Sequence, residues 1–151
     1  MDTRIGRTFW LSEFTVSAMA ERLGRSVVVP PSLVPNIERL VDTVLQPLRD
    51  ELGRPVVIIS GYRPVWLNTR VGGSRTSAHK DARAADLIVP GLTPLQVVKV
   101  VRALELPVDQ AIEEFGAWTH LGIADHGEEP RRQFLAARKV SGRTVYSRMT
   151  A

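Results

Sequence analysis

Three histidines carry most of the chemistry this chain can do: His79, His120 and His126. His79 lies in Ser77-Ala78-His79-Lys80-Asp81-Ala82-Arg83-Ala84-Ala85-Asp86, ahead of an aspartate that opens an apolar run. If the residues between them turn tightly, imidazole and carboxylate converge, and that is a ligand pair zinc holds at about 2.0–2.2 Å. His120 sits in the alternating stretch Trp118-Thr119-His120-Leu121-Gly122-Ile123 and shares a face with Trp118 and Gly122. It can supply a third ligand and leave a fourth position for water. Spacing alone leaves a second interpretation open, because an Asp at a strand start commonly caps a turn and a single strand His commonly packs or faces solvent. His126, between Asp125 and Gly127, fits no ligand position and reads as a loop residue. Cysteine is absent, which excludes disulfides, thiolate zinc sites and cysteine nucleophiles.

The residues around these histidines form an ordered series: Ser60-Gly61-Tyr62-Arg63, Asn68, Val71-Gly72-Gly73, Ser77-x-His79, Ala84-Ala85-Asp86 and Trp118-x-His120. The series resembles the zinc D-alanyl-D-alanine carboxypeptidase family and its phage-endolysin relatives, which share a fold with the hedgehog signalling domain. The resemblance extends over nearly the whole chain, including Val44-Leu45-Gln46-Pro47-Leu48-Arg49 and Asp109-Gln110-Ala111-Ile112-Glu113-Glu114-Phe115-Gly116. It implies a Zn2+ site with His79, Asp86 and His120 as ligands. It also implies that Arg63 binds a substrate carboxylate or carbonyl, a task suited to a planar guanidinium, and that Ser77 binds substrate or orients its loop.

Hydrolysis also needs a carboxylate base within reach of the attacking water. Many relatives carry one three positions before the last zinc histidine, where this chain has Ala117. Glu113 and Glu114 are the nearest alternatives and face opposite ways in a strand, so only one can enter the site. Glu114 matches an acidic position of the phage-like branch and is the expected base. A second departure is Ala82, where relatives usually have Gly. If the turn needs positive φ, Ala there costs about 1–2 kcal/mol.

The elements that must position these groups are readable in outline. Ser12 to Leu23 reads as a helix capped by Ser12 and stopped by Gly24. Ile37, Leu40, Val41, Val44, Leu45, Leu48 and Leu52 recur at helical spacing, with Pro47 inside the run to kink or loosen it and Gly53 to end it. Val56–Ile59 reads as a buried strand, Tyr62–Asp81 as a turn-rich stretch and Ala85–Val89 as a strand. Thr93-Pro94-Leu95-Gln96 is a capping box with proline at the first helical position, opening a helix to about Leu104. Strands are expected near Val108–Ile112 and Trp118–Ile123, with a last one at Thr144–Tyr146. Helices first and antiparallel strands later predict an α+β fold: a single domain over 1–151, a small antiparallel sheet with helices on one side.

With 44% hydrophobic and 24% charged residues, the 151-residue chain has the composition of one globular domain rather than a disordered segment. It contains no apolar run of the roughly 20 residues a membrane helix needs, so no membrane insertion is expected. Its start lacks the apolar core of a secretory signal, which predicts cytoplasmic synthesis and, with the resemblance, action on the cell wall after release, as a phage or prophage lysin or virion component. The net charge is +4, and the residues after Glu129 carry six basic groups (Arg131, Arg132, Arg138, Lys139, Arg143, Arg148) and no acidic one. Such a stretch favours a polyanionic partner. Peptidoglycan is the partner the resemblance implies; nucleic acid is not expected, because only Phe134 and Tyr146 interleave the basic residues. A monomer is expected. The function the resemblance implies is a zinc peptidase acting on peptidoglycan stem peptides. Its alternative is a non-catalytic phage structural or wall-binding module that keeps the fold, a possibility raised by Ala117.

Overall fold

The computed structural model describes residues 2–149. The fold is α+β, as the order of elements predicted. A two-stranded ribbon, β1 (Arg4–Ile5) and β2 (Phe9–Trp10), precedes a 3-10 turn at Leu11–Thr15 and helix α1 (Ala18–Arg22). Helices α2 (Val34–Leu40) and α3 (Gln46–Leu52) follow, then β3 (Val57–Ser60), α4 (Val65–Arg70), β4 (Ala84–Ile88), α5 (Pro94–Ala103), β5 (Gln110–Glu114), β6 (Trp118–Gly122), β7 (Gln133–Val140) and β8 (Arg143–Arg148). Strands β3 to β8 form one sheet in the order β3-β4-β6-β5-β7-β8. All its pairs are antiparallel except β5 with β7, so the sheet is mixed.

Several boundaries differ from expectation for local reasons. The segment expected as one helix from Ser12 is two pieces, because Val16 and Ser17 are extended and Ser17, not Ser12, caps α1 by accepting from the Ala20 N–H. Between α2 and α3, Val41–Leu45 widens into a π turn. Pro47 has no N–H to donate back into that turn, which is the loosening the sequence predicted. Gly53 then closes α3 at φ 59°. Strand β3 is not buried. It is the sheet edge and alternates, with Val57 and Ile59 exposed and Ile58 inside. Helix α4 lies in the stretch expected to be turns alone. Strand β7 was not expected, since Leu135, Ala136, Ala137, Arg138 and Lys139 are helix formers. Its pairing with β5 and the Ser141-Gly142 turn, both at positive φ, override that preference.

Period-two alternation gives the sheet two distinct faces. Ala85 and Leu87 of β4, Ala111 of β5 and Leu121 of β6 join Val97, Val98 and Val101 of α5 and Ile37, Leu40, Val44, Leu45 and Leu48 in one apolar core. The Thr93 capping box starts α5: Thr93 Oγ accepts from Gln96 N–H at 3.1 Å and Gln96 Oε1 accepts from Thr93 N–H at 2.8 Å. The opposite face carries Asp86, His120, Ile112 and Glu114 in register: Asp86 pairs with His120, His120 with Ile112, and Glu114 with Trp118. Among the described residues no helix is long and apolar enough to cross a membrane.

Candidate metal centre

Each site residue is placed by a short local device. His79 sits in a 3-10 turn, Ala78–Asp81, capped by Ser77, whose Oγ accepts from the His79 N–H at 3.2 Å. Ala82 ends that turn at φ 57°, ψ 33°, and turns the chain back into β4, so that Asp86 returns beneath His79. This is the left-handed geometry that made Ala82 a departure worth noting. At the end of β3 the register slips between Ile58 and Ser60, a bulge that pairs Ser60 with Asp86 on the site face. Gly61 then passes so close to the 3-10 turn at Phe14 that an added Cβ would lie 2.5 Å from the Phe14 carbonyl oxygen. Only glycine fits there.

His79, Asp86 and His120 converge and are all buried. His79 Nε2 is 3.2 Å from His120 Nδ1 and 3.2 Å from Asp86 Oδ1, and His120 Nδ1 is 3.0 Å from the same oxygen. The other nitrogen of His79, Nδ1, donates to the Gly61 carbonyl at 2.8 Å, which leaves the Nε2 lone pair facing the cluster. Burial lowers the His79 pKa, with Asp86 opposing, and so favours the neutral imidazole that a metal requires. Asp86 is buried too, but the two imidazoles more than offset that cost and hold its carboxyl well below the usual range.

The donor set fits zinc. Tetrahedral bonds of about 2.0–2.2 Å place ligand atoms roughly 3.3–3.6 Å apart, so the observed triangle needs to open by only a few tenths of an ångström. Two imidazole nitrogens and one carboxylate oxygen also leave the fourth position that a catalytic site keeps open.

Arg63 belongs to this cluster in a way the sequence did not reveal. Its Nε donates to Ser60 Oγ at 3.1 Å, Nη1 to Asn68 Oδ1 at 3.2 Å and Nη2 to Asp86 Oδ2 at 3.2 Å. Every nitrogen therefore has a protein partner, and the second oxygen of Asp86 is one of them. Asn68, on α4, is fixed in turn by donating to the Ser74 carbonyl at 2.9 Å. Gly73 presses against that amide, since a Cβ on it would lie 2.1 Å from Asn68 Oδ1. The supporting roles of Ser60, Gly61 and Asn68 were missed; their places in the ordered motif were the only signal.

The two neighbouring glutamates separate cleanly. Glu113 points to the other face, where Arg138 grips it with two bonds, Nη1 to Oε1 at 3.0 Å and Nη2 to Oε2 at 2.7 Å, and the Gly116 N–H donates to it. Those donors outweigh its burial and lower its pKa. Glu114 shares the face of His120 and Asp86. Burial pushes its pKa up, with His120 opposing and Asp86 adding to the rise. Ala117 is exposed in the turn between β5 and β6, and His126 is exposed in its loop, apart from the cluster.

A family model described as Peptidase M15 matches residues 8–122, which includes the whole cluster, Arg63 and Glu114. The chain belongs to the peptidase M15 family. Peptidases of this family are zinc-dependent metallopeptidases, in agreement with the His-Asp-His geometry. No curated protein matches the chain.

Proposed function

We propose that this M15 peptidase hydrolyses peptide bonds in peptidoglycan stem peptides, with His79, Asp86 and His120 holding Zn2+ and Glu114 acting as general base. The observation that carries the proposal is the placement of Glu114 on the face of His120 and Asp86, while Glu113 is held by Arg138 on the other. Zinc bound by the triad supplies a Lewis acid that polarises the scissile carbonyl and acidifies water. Glu114 accepts a proton from the attacking water as the C–O bond forms and returns it to the amine nitrogen as the C–N bond breaks. Its raised pKa suits both halves of that transfer. Arg63 holds Asp86 in its ligating orientation and has single N–H bonds left to donate to a substrate carbonyl. Ser77 keeps its own hydroxyl hydrogen for substrate while its oxygen caps the His79 turn. The basic hairpin beyond residue 129 raises the encounter rate with an anionic wall polymer, which fits an enzyme released onto the cell wall, as a phage lysin or virion component is.

The test is digestion of purified peptidoglycan by zinc-loaded protein, with the products identified by mass spectrometry. Stem-peptide fragments released by wild type and lost in Glu114→Gln, with one zinc retained in both, are expected. Zinc bound in both and no fragments from either overturns the proposal and favours a non-catalytic wall-binding module.

A further inference from the structure

Strands β7 and β8 lie beyond residues 8–122, which match the family model, yet they continue the same sheet past Glu114. Register carries the site face onto this hairpin. Glu114 pairs with Ala137 and Ala137 with Tyr146, while Ile112, next to His120, pairs with Leu135 and Leu135 with Arg148. Tyr146 and Arg148 are therefore neighbours on one face, in the rows of Glu114 and His120 respectively. Tyr146 stands two strand spacings from Glu114, about 10 Å between backbones, and the residue between them is a buried alanine, which leaves no bulk in the way. Tyr146 is 53% exposed. Its phenol feels the site: burial and then the charges of Glu114 and Asp86 push its pKa up, which keeps the hydroxyl protonated as a donor.

The hairpin's other cations are otherwise engaged or misplaced. Arg138 grips Glu113, Lys139 donates to Thr144 and lies over the Phe115 ring, and Arg143 falls on the opposite face. Arg148 is exposed on the site face and has no carboxylate partner among the described residues. Arg63, meanwhile, has each nitrogen bonded within the protein and is only 14% exposed. Arg63 keeps only single N–H bonds on a largely buried guanidinium, whereas Arg148 presents its whole fork to an incoming carboxylate.

We propose that Tyr146 and Arg148 form a carboxylate-recognition subsite that selects peptides bearing a free carboxylate about two residues from the scissile bond. Arg148 stands three strand spacings from His120, about 14 Å across Ile112 and Leu135, and a carboxylate two residues out from the metal cluster, about 7 Å at ~3.4 Å per residue, falls within the span an extended arginine side chain covers. The proposal rests on the peptidase function above, and binding separates the two. The probes are a stem pentapeptide with the α-carboxylate of its glutamate free and the same peptide with that group amidated. Binding of each to zinc-loaded Glu114→Gln protein is measured by calorimetry, alone and with Arg148→Gln, Tyr146→Phe or Arg143→Gln added.

The acid is expected to bind tighter than the amide by about 10-fold or more, as for one charge-assisted hydrogen-bonded pair. That preference falls to within about twofold in Arg148→Gln and is reduced in Tyr146→Phe, but persists in Arg143→Gln, with zinc content and melting temperature unchanged throughout. No preference in the parent protein, or one that survives Arg148→Gln, overturns the subsite. Equal loss of acid and amide binding does so as well. Failure of wild type to cleave either peptide while the preference holds refutes the hydrolytic role alone.

Discussion

Replacing Arg63 with Lys separates two jobs that a guanidinium beside a metal centre can do. Its three nitrogens bond Ser60, Asn68 and Asp86, and a lysine ammonium, whose three N–H donors diverge from a single atom, cannot span the three positions that the planar fork reaches. Two bonds involving a charged donor are lost, each worth about 1.5–3 kcal/mol. Rebonding of Ser60, which is only partly buried, to water recovers part of this, whereas Asn68 is buried. The net expected loss of stability is about 2–4 kcal/mol, read from urea unfolding of the metal-free protein at constant m-value. Asp86 also loses the partner of its second oxygen, and loss of such outer support lowers metal affinity by about 10–100-fold. Competition with a chromophoric chelator measures that directly. If Arg63→Lys leaves zinc affinity and stability unchanged and raises KM alone, Arg63 acts on substrate and not through Asp86, and the reasoning fails.

Further outcomes follow from the same geometry. Glu114→Gln should lower kcat by about 10²–10⁴-fold, the usual contribution of a positioned base, while Glu113→Gln leaves kcat within a few-fold and lowers stability through the lost Arg138 bonds. Because the Glu114 pKa is raised and a base must be ionised, kcat/KM should rise with pH through a limb above the ordinary Glu range. The same shift makes ionised Glu114 a cost in the folded state, so Glu114→Gln is more stable than wild type at neutral pH, and the difference vanishes below about pH 4.3. A gap that widens on acidification contradicts this. Free zinc at 100 times its dissociation constant should stabilise the fold by about 2.7 kcal/mol, reversed by chelator and absent in His120→Ala. Ala82→Gly removes about 1–2 kcal/mol of left-handed strain, but loses a buried methyl of about 0.8 kcal/mol and adds about 0.4–1 kcal/mol of unfolded-chain entropy. Stability should barely move, which denaturant titration checks.

The parts of this molecule that could be read from sequence are those fixed by local chemistry. The Thr93 capping box, the Gly53 stop and the loosening before Pro47 each depend on a few adjacent residues, and each is where the sequence put it. The triad was readable because its members share an ordered motif. What stayed hidden depends on register between distant strands. Whether Glu113 or Glu114 faces the site is set by the β5–β6 pairing, which places Ile112 opposite His120. Strand β7 was hidden because its composition is that of a helix and only its pairing with β5 decides otherwise. The Arg63 bond to Asp86 spans 23 positions and two elements, and nothing in either local sequence announces it.

Among the described residues, two of the five non-glycine positions at positive φ border the site: Ala82 lies between His79 and Asp86, and Phe115 directly follows Glu114. Each is held by what surrounds it. Ala82 donates its N–H to the His79 carbonyl at 3.2 Å and packs in the core. Phe115 donates to the Ala137 carbonyl at 3.1 Å and stacks edge-on against Trp118 at 5.6 Å between centroids. The strain sits where chain direction must reverse within a few residues, which brings Asp86 back to His79 and sets Glu114 on the face of His120. Relieving it by lengthening either turn would shift Asp86 relative to His79, or Glu114 relative to His120. A one-residue slip in a strand turns a side chain to the wrong face. Register at these two turns, more than the identity of the turn residues, therefore decides whether this chain has a site at all. That is why Ala can stand at 82, and why the turn must stay three residues long after Glu114.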